Sequence, residues 1–502
     1  MECPALATSS ELLNQALALH RTGELSHAKQ LYEQILALAP DHSDATHLLG
    51  MVERAFGNAD RARFLVSRAA RLNPKQPAYH SNLGNILRDA GEYEAAKVAY
   101  QRALQLAPGF TDAFNNLAVL YLRTRKHQKA LQPLRQAIKL KPDFADAHNN
   151  LGNALLALGQ IEAAIKAFKT ALRINIQHQE ARYNLGNAAL CQNDLGAAIV
   201  HFENAEKLAP KNATGLASSL RYAILRYVQS DFDGAELVLE NFRLLKPPSA
   251  ETRHTKIYIG YLERLLQWWR QQPHHGQVGT TASIHVIGES HALSVHGVEV
   301  KLNEPSRLVS HWIEGCKQWH LGRPEINRFK RQFESIMAQI SRGSRVLLTI
   351  GEIDCRHDEG ILLHWKKDPS KSIESLIKDT AEPYMQYVDH LAKKYGHSLL
   401  IAGVPASNYP RSAIPLDDPP LLANLIQLFN QHLKATVLQH GHRFVDTYSM
   451  TAGEAGYSNG IWHLDEHHLR PDAWREAIGQ MANKGPMEEA ALLELAGKVL
   501  PV

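Results

Sequence analysis

The chain has 502 residues, which is too long for one ordinary hydrophobic core, so two or three domains are expected. Its composition is 44% hydrophobic and 21% charged, which excludes a disordered chain. The formal net charge is only +4 and the sequence has no basic run, which argues against a nucleic-acid groove.

The ends and the cysteines indicate a cytoplasmic protein. The four cysteines, Cys3, Cys191, Cys316 and Cys355, are scattered without a CxxC pair, which is typical of a reducing compartment. The N-terminal stretch lacks the basic and apolar regions of a secretory signal. No apolar run is long enough to predict a membrane span.

Small residues recur with a period of 34 through the first half of the chain. The alanines of one series are Ala28, Ala62, Ala96, Ala130, Ala164 and Ala198. Large side chains follow four positions later, at Tyr32, Val66, Tyr100, Leu134, Phe168 and Phe202. Small residues let two helices approach closely, large ones fill the gap, and a proline near the end of most units stops the second helix. The pattern strongly resembles the tetratricopeptide repeat, with six units over residues 9–212.

An asparagine ladder runs in phase with these repeats. The sixth position of a unit is asparagine in five of the six, at Asn14, Asn82, Asn116, Asn150 and Asn184. The repeats of O-GlcNAc transferase have a similar ladder, which implies a groove that binds the backbone of an extended peptide through amide donors and acceptors. The alternative is that each asparagine bonds only to the neighbouring helix.

The period is lost after residue 212, although the pattern stays helical. A degenerate seventh pair is predicted, followed by a helix over HTKIYIGYLERLLQWWRQQ that caps the last apolar face of the array. The polar stretch QQPHHGQVGTT then predicts a linker end.

Short apolar runs alternate with helical segments in the second half. The predicted strands are residues 283–288, 307–312, 345–351, 398–404 and 442–448. Strands interleaved with helices predict a parallel sheet covered on both faces, with its ligand beyond the carboxyl ends of the strands. Ser290, Gly315 and Asp354 each follow a predicted strand, so we expect them to face one crevice.

Two motifs carry the chemistry. Gly288-Glu289-Ser290-His291 directly follows a strand, and Asp465-Glu466-His467-His468-Leu469-Arg470-Pro471 lies near the end. An Asp and a His three residues apart can form an orienting acid and a base for a serine nucleophile. Ser290 as a helix cap and Asp465 as a turn residue are the alternatives.

These motifs resemble the first and last blocks of the SGNH (GDSL-like) hydrolase family, over roughly residues 282–482. The resemblance implies Ser290 as nucleophile, His468 as general base, Asp465 as its orienting acid, and the N–H groups of Ser290 and Gly315 as oxyanion donors. The third block departs from the family pattern, because Ile353 stands where an asparagine donor belongs.

Three further side chains are possible accessories. Arg356 is a candidate substitute for the missing donor, although Arg356 and Asp354 could also simply pair with each other. Glu289 is interpreted as a local structural acid rather than an acid catalyst. A metal site at His463, Asp465, His467 and His468 is a further alternative, but no metal-binding spacing is present, and neither a metal nor a cofactor is expected.

The predicted fold class is an all-α tetratricopeptide superhelix followed by a three-layer α/β domain with a parallel sheet. The predicted organisation is repeats over residues 9–246, a capping helix and linker over 247–281, the α/β domain over 282–485 and a helical tail over 486–502. One functional hypothesis is a serine esterase or O-acyltransferase that acts on an acyl ester, by family analogy that of a carbohydrate or glycan precursor, while the repeats recruit a protein or peptide partner. The other is a scaffold with weak or no catalysis that binds peptides in the repeat groove.

Overall fold

The computed structural model describes residues 8–244, 253–272, 282–302, 304–356, 359–408, 419–453 and 456–483. The predicted helical tail over residues 486–502 lies outside the described residues. Contacts divide the chain into two compact units, residues 1–181 and 182–502.

Paired antiparallel helices follow one another up to residue 244 in the described part of the chain. They are α1 Ser9–Arg21, α2 Leu25–Leu38, α3 Ser43–Ala55, α4 Ala59–Leu72, α5 Pro77–Asp89, α6 Tyr93–Leu106, α7 Thr111–Arg123, α8 His127–Leu140, α9 Ala145–Ala157, α10 Ile161–Ile174, α11 Gln179–Cys191, α12 Leu195–Leu208, α13 Ala213–Val228 and α14 Phe232–Leu244. The predicted six regular units and the degenerate seventh pair coincide with these helix pairs.

The repeated glycine marks the closest approach of the two helices of a unit. A Cβ atom added at Gly84 would overlap the ring of Tyr100, and one added at Gly152 would overlap the ring of Phe168. Both rings are fully buried. The small and large residues of the 34-residue period are therefore the two sides of one packed contact.

The second unit contains helix α15 (Arg253–Arg270) and a mixed six-stranded sheet. The strands are β1 Ala282–Gly288, β2 Glu299–Lys301, β3 Pro305–Trp312, β4 Arg345–Thr349, β5 Ser398–Ala402 and β6 Arg443–Val445, in the order β2-β3-β1-β4-β5-β6. Strands β3, β1, β4, β5 and β6 are parallel to their neighbours.

The prediction of a purely parallel sheet is wrong at one edge, because β2 runs antiparallel to β3. This strand has only three residues, and just one of them, Val300, is buried. So short a segment gives no readable period-two pattern. The last strand is also shorter than predicted, since Asp446 ends it by accepting a hydrogen bond from the Ser449 N–H at 3.0 Å and starting helix α22 (Thr447–Thr451).

The remaining helices surround the sheet. They are α16 Ser290–Ser294, α17 Gln318–Gly322, α18 Arg328–Gln339, α19 Gly360–Lys367, α20 Ile373–Tyr395, α21 Pro419–Gln439 and α23 Pro471–Asn483.

Alternate residues of each central strand enter different cores. On β4, Leu347 lies in a core shared with α13, α14, α15 and α23, whereas Val346 and Leu348 lie in a core shared with α18, α20 and α21. The sheet is thus covered on both faces, as parallel strands require. One covering layer comes from helices that precede the sheet in the sequence.

Candidate active site

Ser290 lies at the corner between β1 and α16. A Cβ atom at Gly288 would overlap the Thr349 hydroxyl on β4, so only glycine lets the chain turn here. The Glu289 carboxylate accepts hydrogen bonds from both the N–H and the hydroxyl of Ser290. Glu289 therefore caps the short helix, and the alternative of Ser290 as the cap is not what the structure shows.

The Asp465–His468 pair has the geometry that the sequence spacing predicts. The His468 Nδ1 atom lies 2.8 Å and 3.0 Å from the two carboxylate oxygens of Asp465. The same carboxylate accepts the backbone N–H groups of His467 at 2.9 Å and His468 at 2.8 Å. Asp465 thus closes a turn and fixes one imidazole nitrogen, which leaves Nε2 as the nitrogen available for proton transfer.

The electrostatics keep Asp465 ionised. Burial favours the neutral acid, but His468, the backbone N–H of His467 and the Arg264 guanidinium hold the pKa of Asp465 far below its ordinary value. The neighbouring His291 is different, because burial lowers its pKa to about 3 and leaves the ring neutral. The carboxylate of the pair is therefore available to stabilise a positive charge on His468.

Three side chains of α15 reach this site, and sequence reasoning did not find them. The Arg264 Nη2 atom donates to Asp465 Oδ2 at 2.7 Å. The Tyr261 ring stacks on the His468 ring with centroids 3.7 Å apart, and the Tyr261 hydroxyl donates to the Ser290 carbonyl at 3.0 Å. The Tyr258 hydroxyl donates to Glu289. The spacing of these three residues places them on one helix face, but nothing local in the sequence shows what that face covers.

Ser290 and His468 are close to common neighbours but are not hydrogen-bonded to each other in the described structure. Only 1% of Ser290 and 2% of His468 is exposed. The Ser290 hydroxyl donates to Glu289 instead of to the imidazole. This arrangement is closed, since the hydroxyl must leave Glu289 before it can reach His468.

Gly315 and Ile353 lie in the loops after β3 and β4. Gly315 has φ = +68°, a left-handed conformation that favours glycine. Ile353 is buried, and its side chain has no hydrogen-bond donor for an oxyanion.

Asp354 is held by backbone rather than by a cation. Its Oδ2 atom accepts the Gln318 N–H at 2.8 Å. Burial raises the pKa of Asp354 to about 6.

Arg356 pairs with Glu352, which corrects the predicted alternative of a pair with Asp354. The Arg356 Nη2 atom lies 2.7 Å from Glu352 Oε2, and Glu352 Oε1 lies 3.3 Å from His467 Nδ1. Burial opposes the ionised form of Glu352, but Arg356 and His467 hold its pKa well below the ordinary value. The three residues form a charged group next to the dyad.

A cleft of about 330 Å³, open to solvent, adjoins this charged group. Glu352, Arg356, His467, Glu466 and Ser407 supply its polar lining. Leucine, isoleucine and valine side chains supply its apolar lining. Since His467 precedes His468, the cleft approaches the dyad from the side opposite to the covering tyrosines' helix in sequence, and its mixed lining fits a ligand with polar and apolar parts.

The metal alternative finds no arrangement to support it. His463 bonds Ser458, His467 faces Glu352 and His468 faces Asp465. Among the described residues, no group of three or more His, Cys, Asp or Glu side chains is placed to hold a metal ion.

The asparagine ladder bonds the preceding repeat wherever its partners are seen in the first unit. The amide nitrogens of Asn82, Asn116 and Asn150 lie 2.9 Å from His47 Nε2, 3.4 Å from Ser81 Oγ and 2.9 Å from Asn115 Oδ1. All three are half-buried, whereas Asn14 is exposed and Asn184 is buried. Each amide can still offer its oxygen and a second N–H to a ligand.

Family models confirm the repeats. Models described as tetratricopeptide repeat match residues 19–86, 77–110, 99–132 and 145–178, and one described as TPR repeat matches residues 126–159. None of the curated proteins matches the chain.

Solved structures similar to the chain include helical-repeat proteins. The Cut9–Hcn1 hetero-tetramer of APC/C is 19% identical, with a TM-score of 0.40 over 43% of this chain and 42% of that one. Pseudomonas aeruginosa PilF is 21% identical, with a TM-score of 0.37 over 44% and 96%, and MamA is 25% identical, with a TM-score of 0.29 over 32% and 94%. The chain thus spans less than half of the Cut9–Hcn1 chain it matches.

The repeat array supports a role in protein–protein interaction. In the part of the chain that the structure describes, no helix combines the length and the apolar character needed to cross a bilayer.

Proposed function

We propose that the protein is a serine esterase or O-acyltransferase of the SGNH type, whose repeats recruit a protein or peptide. The observation that carries the proposal is the Asp465–His468 pair, with the carboxylate 2.8 Å from Nδ1, next to a serine at a strand–helix corner. This is the orienting acid and base that a serine nucleophile requires. The SGNH resemblance of both motifs points to the same residues.

In the proposed reaction the Ser290 Oγ atom attacks the acyl carbonyl while His468 Nε2 takes the hydroxyl proton. The tetrahedral oxygen is held by the N–H groups of Ser290 and Gly315. Its collapse breaks the ester bond, and His468 returns the proton to the departing alcohol. Water or an acceptor hydroxyl then attacks the acyl-enzyme, with His468 again as base.

Glu289 has to move for this step, because it holds both the hydroxyl and the N–H of Ser290. The structure is therefore interpreted as a resting state. Loss of one oxyanion donor costs on the order of 100- to 1000-fold in rate. Arg356 is the proposed compensation for Ile353, since its buried guanidinium lines the adjoining cleft.

The substrate class is proposed by analogy. GDSH-type members of the family are associated with glycan O-acylation and deacylation, so a carbohydrate or glycan precursor is the proposed substrate. The polar and apolar lining of the cleft is compatible with an acylated sugar.

A scaffold without catalysis is the second candidate. The closed pairing of Ser290 with Glu289 and the apolar residue at position 353 favour it. In that function the repeat face alone would bind the partner.

Labelling by a fluorophosphonate probe, together with hydrolysis of p-nitrophenyl acetate, separates the two. We expect wild-type protein to be labelled, Ser290→Ala and His468→Ala to lose both activities, and Ser335→Ala, which changes a half-exposed serine of α18, to keep them. A folded wild-type protein with neither activity would refute the enzyme proposal and favour the scaffold.

A further inference from the structure

Three arginines of the repeat array converge on one aspartate. Asp89, the last residue of α5, lies 2.6 Å from Arg54 Nη2, 3.0 Å from Arg88 Nη2 and 3.3 Å from Arg123 Nη1. Arg54 is on α3 and Arg123 on α7, so the cluster joins three consecutive repeats. One carboxylate balances one of three guanidinium charges, which leaves two positive charges without a counter-charge in this cluster.

The surrounding acids are already paired with other cations. Glu53 pairs with Lys29 and Arg61, and Glu92 pairs with Arg63. Glu94 lies 3.6 Å from Lys97 and 3.6 Å from Lys126. In the described structure, none of these carboxylates pairs with the three clustered arginines.

The helix dipole alone does not account for this arrangement. A basic residue in the last turn stabilises a helix, and each of these arginines lies in such a turn. That effect operates separately at each helix end. It does not require three guanidiniums from three helices to share a single carboxylate.

The cluster continues the amide-bearing face of the array. Asn82, Asn85 and Asp89 are spaced three and four residues apart on α5, and Asn116 and Arg123 are seven apart on α7, so each set shares a helix face. Arg54 is 33% exposed and Arg123 is 47% exposed at their side chains, so both can be reached from solvent.

We propose that this arginine cluster binds an acidic, extended segment of a partner protein. Carboxylates of the partner occupy the donors that Asp89 leaves free, and the neighbouring amides bond its backbone. Asp89 acts as an internal competitor that holds the guanidiniums in place before binding. This inference concerns the repeat unit and stands whether or not Ser290 is catalytic.

A protein segment is favoured over a single-stranded nucleic acid by the groups beside the cluster. Single-strand binding combines basic side chains with aromatic stacking platforms. Here the residues that share the face on α5 and α7 with the cluster are amides, which suit a peptide backbone. The small net charge of the whole chain points the same way.

The test uses the full chain and a fluorescein-labelled peptide of alternating Glu and Ala, compared with its Gln counterpart. We expect the Glu peptide alone to bind. Each of Arg54→Gln and Arg123→Gln should weaken binding about five-fold, the value for one partly exposed ion pair. Asp89→Asn should tighten it, since a competitor for the arginines is removed.

The control is Arg63→Gln, which removes an exposed arginine of α4 outside the cluster and should leave binding unchanged. Circular dichroism verifies that each variant is folded. Equal binding of the Glu and Gln peptides, or unchanged binding by both arginine variants, would overturn the proposal. Tighter, arginine-dependent binding of an oligothymidylate would overturn the class of partner.

Discussion

Replacing Arg264 by alanine removes the support that α15 gives to the dyad. In the wild-type protein the carboxylate of Asp465 is held from two sides, by the His468 imidazole and by the Arg264 guanidinium at 2.7 Å. The variant keeps the nucleophile, the base and the acid. It changes only the charge and the hydrogen bond behind the acid.

The magnitude follows from the exposure of the pair. A hydrogen bond to a charged group contributes about 1.5–3 kcal/mol. Since 41% of the Arg264 side chain is exposed, solvent screening reduces this to about 1 kcal/mol. That corresponds to roughly a five-fold slower reaction of Ser290 at neutral pH.

The pH dependence should change as well. Removing a positive charge near Asp465 favours the protonated form of the His468 imidazole, which cannot act as a base. The acid limb of the rate therefore moves to higher pH, by up to about 0.7 of a pH unit for 1 kcal/mol. Arg264→Lys keeps the charge and should restore the position of this limb.

The assay is the rate of fluorophosphonate labelling between pH 5 and pH 9. The matched control is Arg270→Ala, which removes a guanidinium from the same helix, where it pairs with Glu236 rather than with the dyad. If Arg264→Ala and Arg270→Ala both label at the wild-type rate with an unmoved acid limb, Arg264 has no role in positioning Asp465.

Two predictions concern stability. Gly152→Ala should destabilise the first unit by about 1–3 kcal/mol, because the new Cβ overlaps the Phe168 ring, whereas Gly109→Ala, with nothing within 4 Å, should change it by less than about 0.5 kcal/mol; thermal unfolding compares them, and equal melting temperatures would contradict the packing argument. Asp354→Asn should stabilise the second unit at pH 7 by up to about 3 kcal/mol, since burial raises the pKa of Asp354 from 3.8 to about 6 and ionising it in the folded state is costly. A raised acid pKa lowers stability as pH rises through this range, so the gain should vanish below about pH 4; urea unfolding at several pH values measures it, and a gain that grows on acidification would contradict the sign.

The repeats could be predicted because their information is local and periodic. Each pair of Gly152 and Phe168 type is 16 residues apart, and the same spacing recurs along the array. The central strands were also readable, since buried parallel strands are short apolar runs. Strand β2 was not, because three residues with one buried side chain carry no pattern.

The candidate site was only partly readable for a physical reason. The Asp465–His468 contact lies within one turn, so its spacing predicts its geometry. Arg264 is 201 residues from Asp465 in sequence, and no local rule connects them. The pairing of Ser290 with Glu289 was also missed, because two adjacent residues give no indication of which way the hydroxyl turns.

Trp269 shows where the chain can be divided without harm. Its ring is buried, and its indole N–H donates to the Tyr227 hydroxyl at 2.9 Å, within the core that α13 and α15 share with β1 and β4. A fragment beginning at residue 282 would expose one whole face of the sheet to water and would be prone to aggregate. A gene fusion that exchanged the repeats for another binding module would therefore have to retain the chain from about residue 182, and these late helices would be inherited with the sheet rather than with the array.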